Sequence, residues 1–323
     1  AAASAVAATP AAPGAAPATS GFNETVARTA MYFSAAAYCT EWLEAGNWTC
    51  ASCERNAAFE LLHVIEGAFE TLGYVGIDHV QRHVVVAFAG THLDSIPNWI
   101  ADLSFVKDEY WPCEEAAASD TACRAHRGFW RAYQTLSTNV TKEVAAALRA
   151  APPTYGVRVT GHSLGGALAV FAALDIRTNV TAVANGTRHL DVYTFGQPRV
   201  GNKPLAVFAD GLLAPHMYRV VHNRDVVPHL PQMPFGFSHA AREVWYDVDD
   251  MTTHEYRVCA ARLEDNACSN SLGLLASSVP DHIYYYDVRV GTTCATTIAE
   301  HWPYAHAGGF AALRAAVQRA ERR

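Results

Sequence analysis

The fold is read from Val157-Arg-Val-Thr-Gly-His-Ser-Leu-Gly-Gly-Ala-Leu-Ala-Val-Phe-Ala-Ala173. A short β-branched run, Val157–Thr160, enters Gly161-His162-Ser163-Leu164-Gly165-Gly166, and an alanine-rich helical pattern, Gly165–Ile176, leaves it. A strand that turns at once into a helix needs small residues two before and two after the apex, because strand and helix nearly touch there. Gly161 and Gly165 provide that clearance, and Gly166 and Ala167 extend it into the first helical turn. The apex residue is Ser163. Its hydroxyl then stands at a helix N-terminus, where free backbone N–H groups and the helix dipole favour developing negative charge. The competing reading is a glycine-rich turn that happens to contain serine. The strand before, the helix after and the double glycine favour a nucleophile.

Outward from this elbow, strands alternate with helices. Asn23–Tyr38 has helical apolar spacing; Phe59–Ile65, Tyr74–Val80 and His83–Ala89 read as strands; Gly128–Ala150 reads as one long helix ended by Pro152-Pro153. Beyond the elbow, His189–Phe195, His216–Val221 and Glu243–Val248 read as strands and Leu205–Leu213 as a helix. This order predicts an α/β fold, a central and mainly parallel sheet flanked by helices. Residues 1–20 are a leader of small residues and proline with little to bury, expected to be flexible. Residues 21–323 are read as a single catalytic domain, with a helical extension over about residues 295–323 that ends in Phe310–Arg323.

A serine needs a base, and the base needs an orienting acid. In sheets of this type the acid follows the serine and the histidine follows the acid. Asp225 lies in the polar turn after the His216–Val221 strand, where such an acid belongs; Asp191 precedes a strand, and Asp175 and Asp210 lie on helical patterns. For the base, His229, His239, His254, His282, His301 and His306 all follow Asp225. His282, after Pro280-Asp281 and before the aromatic run Tyr284–Tyr286, is favoured, while His239 and His254 stay open by pattern alone.

The composition narrows the setting. Of 323 residues, 50% are hydrophobic and 17% charged, which permits a sizeable core and excludes general disorder. A formal charge of −7 without a basic run argues against nucleic acid as a partner. No stretch approaches the roughly 20 apolar residues of a transmembrane segment. Eight cysteines, several in close pairs, point to disulfides in an oxidising compartment. Cys50-Ala-Ser-Cys53 invites a zinc reading, but no second pair or spaced histidines complete one. Sequons begin at Asn23, Asn47, Asn139, Asn179 and Asn185, and their density favours a secreted, extracellular glycoprotein.

Several stretches together resemble the fungal class-3 lipase family of filamentous-fungal lipases and feruloyl esterases, which share the α/β-hydrolase fold. They are Phe88-Ala-Gly-Thr91, Asn98-Trp-Ile-Ala-Asp-Leu103, Val159–Gly166, Tyr193-Thr-Phe-Gly-Gln-Pro-Arg199, His222-Asn-Arg-Asp-Val-Val-Pro228 and Val279-Pro-Asp-His282, covering about residues 28–295. The resemblance implies a Ser163–Asp225–His282 triad and an oxyanion hole formed by Thr91 and the backbone N–H of Leu164. It also implies disulfides Cys39–Cys294, Cys50–Cys53 and Cys113–Cys123, which leaves Cys259–Cys268. It implies a lid over His92, Leu93, Asp94, Ser95, Ile96, Pro97, Asn98 and Trp99, with Leu93, Ile96 and Trp99 as its apolar face. This segment departs from the family: two extra residues separate Thr91 from Asn98, Pro97 stands near the lid's end, and Ala89 replaces the usual arginine.

The function these residues imply is a secreted lipase that cleaves acylglycerols through an acyl-serine intermediate. Its substrate would be a lipid or ester met at a lipid–water interface, and neither cofactor nor metal is expected. The alternatives are a lipase restricted to mono- and diacylglycerols, a feruloyl or other soluble-ester esterase, and a non-catalytic hydrolase-fold binding protein.

Overall fold

The computed structural model describes residues 21–92, 95–113, 122–273, 277–291 and 294. The leader at 1–20, the helical pattern Phe310–Arg323, Leu93 and Asp94 lie outside the described residues. The helices are α1 (Glu24–Ala36), α2 (Thr40–Glu44), α3 (Ala51–Glu54), α4 (Ile96–Asp102), α5 (Arg127–Gln134), α6 (Ser137–Ala150), α7 (Leu164–Asn179), α8 (Thr181–Ala184), α9 (Lys203–Leu213) and α10 (Pro280–Ile283). The strands are β1 (Phe59–Glu66), β2 (Leu72–Asp78), β3 (His83–Phe88), β4 (Lys107–Glu109), β5 (Arg124–His126), β6 (Gly156–His162), β7 (Leu190–Phe195), β8 (Met217–His222), β9 (Arg242–Tyr246), β10 (Arg257–Val258), β11 (Tyr284–Tyr285) and β12 (Val288–Arg289).

One sheet runs β1-β2-β3-β6-β7-β8-β9-β10. From β3 to β9 the pairs are parallel; β1, β2 and β10 are antiparallel additions at the edges. The chain therefore has the expected α/β fold with a central, mainly parallel sheet, and β6, the strand that leads to Ser163, is central. Every residue of β6 is buried, as a strand covered on both faces requires. Val157 and Val159 join the core beneath α5, α6, α7 and α9. On the other face the Thr160 hydroxyl donates to Tyr193 O at 2.8 Å and pairs with the Ser34 hydroxyl of α1. The α1 helix is capped as its sequence indicates: Asn23 Oδ1 accepts the Val26 N–H at 3.2 Å.

Two local readings change. The helix expected over Gly128–Ala150 is two helices, because Thr135 and Leu136 donate only three residues back, to Ala132 and Tyr133. Both halves present apolar residues to the same core, so the apolar spacing carries across the break unmarked. The strand expected to reach Val80 stops at Asp78, whose Oδ1 accepts the Val80 and Gln81 N–H groups and turns the chain.

Candidate active site

Ser163 has φ +59° and ψ −129°, a backbone region that a non-glycine residue holds only when its surroundings impose it. The glycines on either side are required by contact. A Cβ at Gly161 would lie 2.2 Å from Gly165 O, and one at Gly165 would lie 2.2 Å from Phe88 O. Strand β3 also ends against the elbow, since a Cβ at Gly90 would be 3.0 Å from Ser163 Cβ. Thr91 is therefore delivered beside the serine. Leu164 opens α7, so its N–H precedes the intrahelical ladder.

Asp225 sits in the turn after β8, and His282 sits on the one-turn helix α10. Ser163 Oγ is 2.8 Å from His282 Nε2, and His282 Nδ1 is 2.9 Å from Asp225 Oδ2. The carboxylate also accepts the Val227 N–H at 2.8 Å and the Tyr285 hydroxyl at 2.6 Å. Burial opposes its charge, but His282 and these hydrogen bonds hold the carboxyl below the usual carboxylate value. All three side chains are wholly buried, so the site is closed to water.

The competing candidates have other partners. Asp191 makes a bidentate ion pair with Arg158, at the end of β7 away from Ser163. Asp175 accepts the Tyr133 hydroxyl, and Asp210 pairs with Arg262. His239 donates to Pro228 O at 2.7 Å, and His254 pairs with Glu24 at the surface. His229 is buried four residues beyond Asp225; His301 and His306 lie outside the described residues.

The segment after Thr91 forms α4, which begins at Ile96 and runs three residues past Trp99. Pro97 is thus in the first turn of this helix, where the missing N–H costs nothing. Ile96 and Ile100 are buried against Val226, Val227 and Leu230, with Trp99 and Leu103 half-buried beside them. Trp99 also stacks on Phe129, ring centroids 6.1 Å apart.

The cysteines pair as Cys39–Cys294, Cys50–Cys53, Cys113–Cys123 and Cys259–Cys268. Among the described residues, the grouping of metal-ligand type is Glu243 with Cys259 and Cys268, and both cysteines are spent in a disulfide. All five sequon asparagines are exposed.

Sequence reasoning gave no role to Gly196 or Tyr285. Gly196 has φ +55°, and a Cβ there would come 2.7 Å from Asp225 Oδ2 and 2.8 Å from His282 Nδ1. Its signal was the family stretch Tyr193–Arg199, and that of Tyr285 was the aromatic run after His282.

Residues 85–235 match the family model described as lipase (class 3). Over 259 residues the chain is 33% identical to a lipase of Rhizomucor miehei, covering 80% of this chain and 67% of that protein. Over 279 residues it is 33% identical to secreted mono- and diacylglycerol lipase 1 of Fusarium solani, covering 83% of this chain and 76% of that protein. It superposes with a TM-score of 0.72 and 32% identity on a triacylglycerol lipase whose catalytic centre is described as a serine protease triad, covering 84% of this chain and 97% of that one.

Proposed function

The chain belongs to the class 3 lipase family, and from that premise we propose that Ser163, His282 and Asp225 hydrolyse the ester bonds of acylglycerols. The observation that carries the assignment of roles is the unbroken relay from Ser163 Oγ through His282 to Asp225. Ser163 Oγ attacks the ester carbonyl carbon while His282 Nε2 takes its proton. The tetrahedral oxyanion is met by the backbone N–H of Leu164 and by Thr91, through its backbone N–H and hydroxyl; one such donor contributes about 3–4 kcal/mol. As the intermediate collapses, the C–O bond to the leaving alcohol breaks and the His282 proton passes to that oxygen. Water, deprotonated by His282, then attacks the acyl-serine, releasing fatty acid and restoring Ser163. Throughout, Asp225 fixes the tautomer of His282 and stabilises its imidazolium.

In this reading α4 is the lid. It packs on an apolar wall, Val226, Val227 and Leu230, that starts one residue beyond the acid, and its departure would open an apolar groove there. A groove of that chemistry suits an acyl chain, which favours a lipid over a soluble aromatic ester, and the enzyme would meet its substrate at a lipid–water interface. Four disulfides and the secreted Fusarium relative support an extracellular setting.

Two measurements test the proposal. A serine-reactive phosphonate should label Ser163 stoichiometrically, and absence of an adduct would remove the enzyme reading. Hydrolysis of mono-, di- and triacylglycerol emulsions should exceed that of methyl ferulate; the reverse preference would overturn the substrate class.

A further inference from the structure

We propose that His162, next to the nucleophile, is a positioning residue that holds the backbone of His282 through a fixed tautomer. The inference rests on the triad assignment above. The ring of His282 is held by Ser163 and Asp225, but its main chain lies at the end of the one-turn helix α10. Its carbonyl accepts instead from His162 Nε2 at 2.7 Å. A carbonyl can only accept, so Nε2 must carry the proton and Nδ1 must be bare.

The other side of the ring enforces the same state. Nδ1 lies 2.8 Å from the Tyr38 hydroxyl, which must then be the donor. Gly90 leaves that phenol oxygen room, since a Cβ there would be 2.2 Å away. The chain of donors runs from Tyr38, packed against Gly90 beside Thr91, through His162 to the backbone of His282. It joins the segment after α1, the elbow and the base. His162 is wholly buried, and burial lowers its pKa to about 3, so the ring stays neutral. A charged ring would also repel the His282 imidazolium formed in turnover, because the two ring centroids are 4.5 Å apart.

The test compares His162→Phe, Tyr38→Phe and His162→Gln with the native protein. The readouts are kcat and KM on a soluble short-chain ester, the rate and final stoichiometry of phosphonate labelling, and thermal melting. His162→Phe keeps a ring but loses both nitrogens. Its kcat and labelling rate should fall roughly 10- to 100-fold, the scale set by misplacing a reacting group by up to an ångström. KM should stay within about twofold and labelling should still reach one equivalent, since positioning acts on the transition state. The amide of His162→Gln can donate to the same carbonyl and should recover much of the loss. Tyr38→Phe removes only the hydroxyl and decides the matter if His162→Phe does not fold.

Native-like kcat and labelling rates in folded Tyr38→Phe or His162→Phe, with only the melting temperature lowered, would overturn the proposal and leave His162 as core filling. Failure of the native protein to take phosphonate at Ser163 would instead overturn the triad assignment itself.

Discussion

Gly196→Ala should disable the site while leaving the fold in place. An alanine Cβ at this position would fall 2.7 Å from Asp225 Oδ2 and 2.8 Å from His282 Nδ1, where ordinary contact begins at 3.4 Å. The acid and base must therefore retreat by 0.7 Å and 0.6 Å, the differences of those distances. Neither is the free end of a flexible chain, because Asp225 is fixed by Val227 and Tyr285 and His282 by Ser163. A displacement of that size in a reacting constellation costs on the order of 100-fold in rate, or about 2.7 kcal/mol of transition-state stabilisation. The φ of +55° adds a left-handed penalty of about 1–2 kcal/mol to folding. The assay is kcat and KM on a soluble short-chain ester, normalised by phosphonate titration, with a melting curve beside it. We expect kcat to fall roughly 100-fold, KM to change little and the melting temperature to drop by several degrees. A folded Gly196→Ala protein with kcat within about threefold of native would refute the claim that this clearance is what the triad needs.

Tyr285→Phe removes the 2.6 Å hydrogen bond to the buried Asp225 carboxylate, so unfolding free energy should fall by about 1.5–3 kcal/mol; unchanged denaturant midpoints would argue against that bond. If α4 is the proposed lid, native activity should rise steeply as a short-chain ester is taken past its solubility limit, because Ser163 is fully buried. Ile100→Asp, which places a charge in the lid's buried face, should raise the rate below that limit and flatten the step; a native rate that is already flat would count against a mobile α4. Stability should decline with acid. Burial lowers the pKa of His126 to about 4 and that of His162 to about 3, so below the ordinary 6.5 the unfolded chain binds protons that the folded one refuses. Asp191 acts in the same sense: burial opposes its charge, but Arg158 holds its carboxyl below the ordinary 3.8, so its contribution is whole above that value and is lost as pH falls through the lowered one. Melting temperatures that stay level from about pH 6.5 to 4 would contradict this account.

The elbow was legible because its demands are local. Gly161 and Gly165 meet only four residues apart, and a strand pattern and a helix pattern abut there in sequence. The acid and base were less so. His282 stands 57 residues from Asp225 and 119 from Ser163, and chain order alone left other histidines in play. Pattern favoured Asp225 and His282, and the family stretches then implied them together. Gly196 and Tyr285 could not be read at all from spacing, since their roles arise where β7, the turn after β8 and the α10–β11 segment converge. The helix after Thr91 was hard to place for a related reason. Whether proline ends or opens a helix depends on which turn it occupies, and Ile96 and Ile100 are fixed by contacts with Val226 and Val227 far along the chain.

The groove wall and the lid are held by different forces, and this separates access from chemistry. Leu230 O accepts the Arg199 N–H at 2.8 Å, Pro231 O accepts Arg199 Nη1 at 3.1 Å, and Pro228 O accepts His239 Nε2 at 2.7 Å. Arg199 is itself anchored by both oxygens of Glu264. The wall that begins beside Asp225 is therefore pinned from the protein interior by directional, buried bonds. The lid lies on it chiefly through apolar side chains. Returning Ile96 and Ile100 to water would cost about 1.5–3 kcal/mol each, which alone disfavours an open lid by a factor on the order of 10² to 10⁴. Against a lipid phase most of that cost disappears, because the side chains exchange one apolar surrounding for another. On the proposed reading α4 leaves and the wall stays. The triad is then already assembled when substrate arrives, and the interface changes how often Ser163 is reached, not how it reacts.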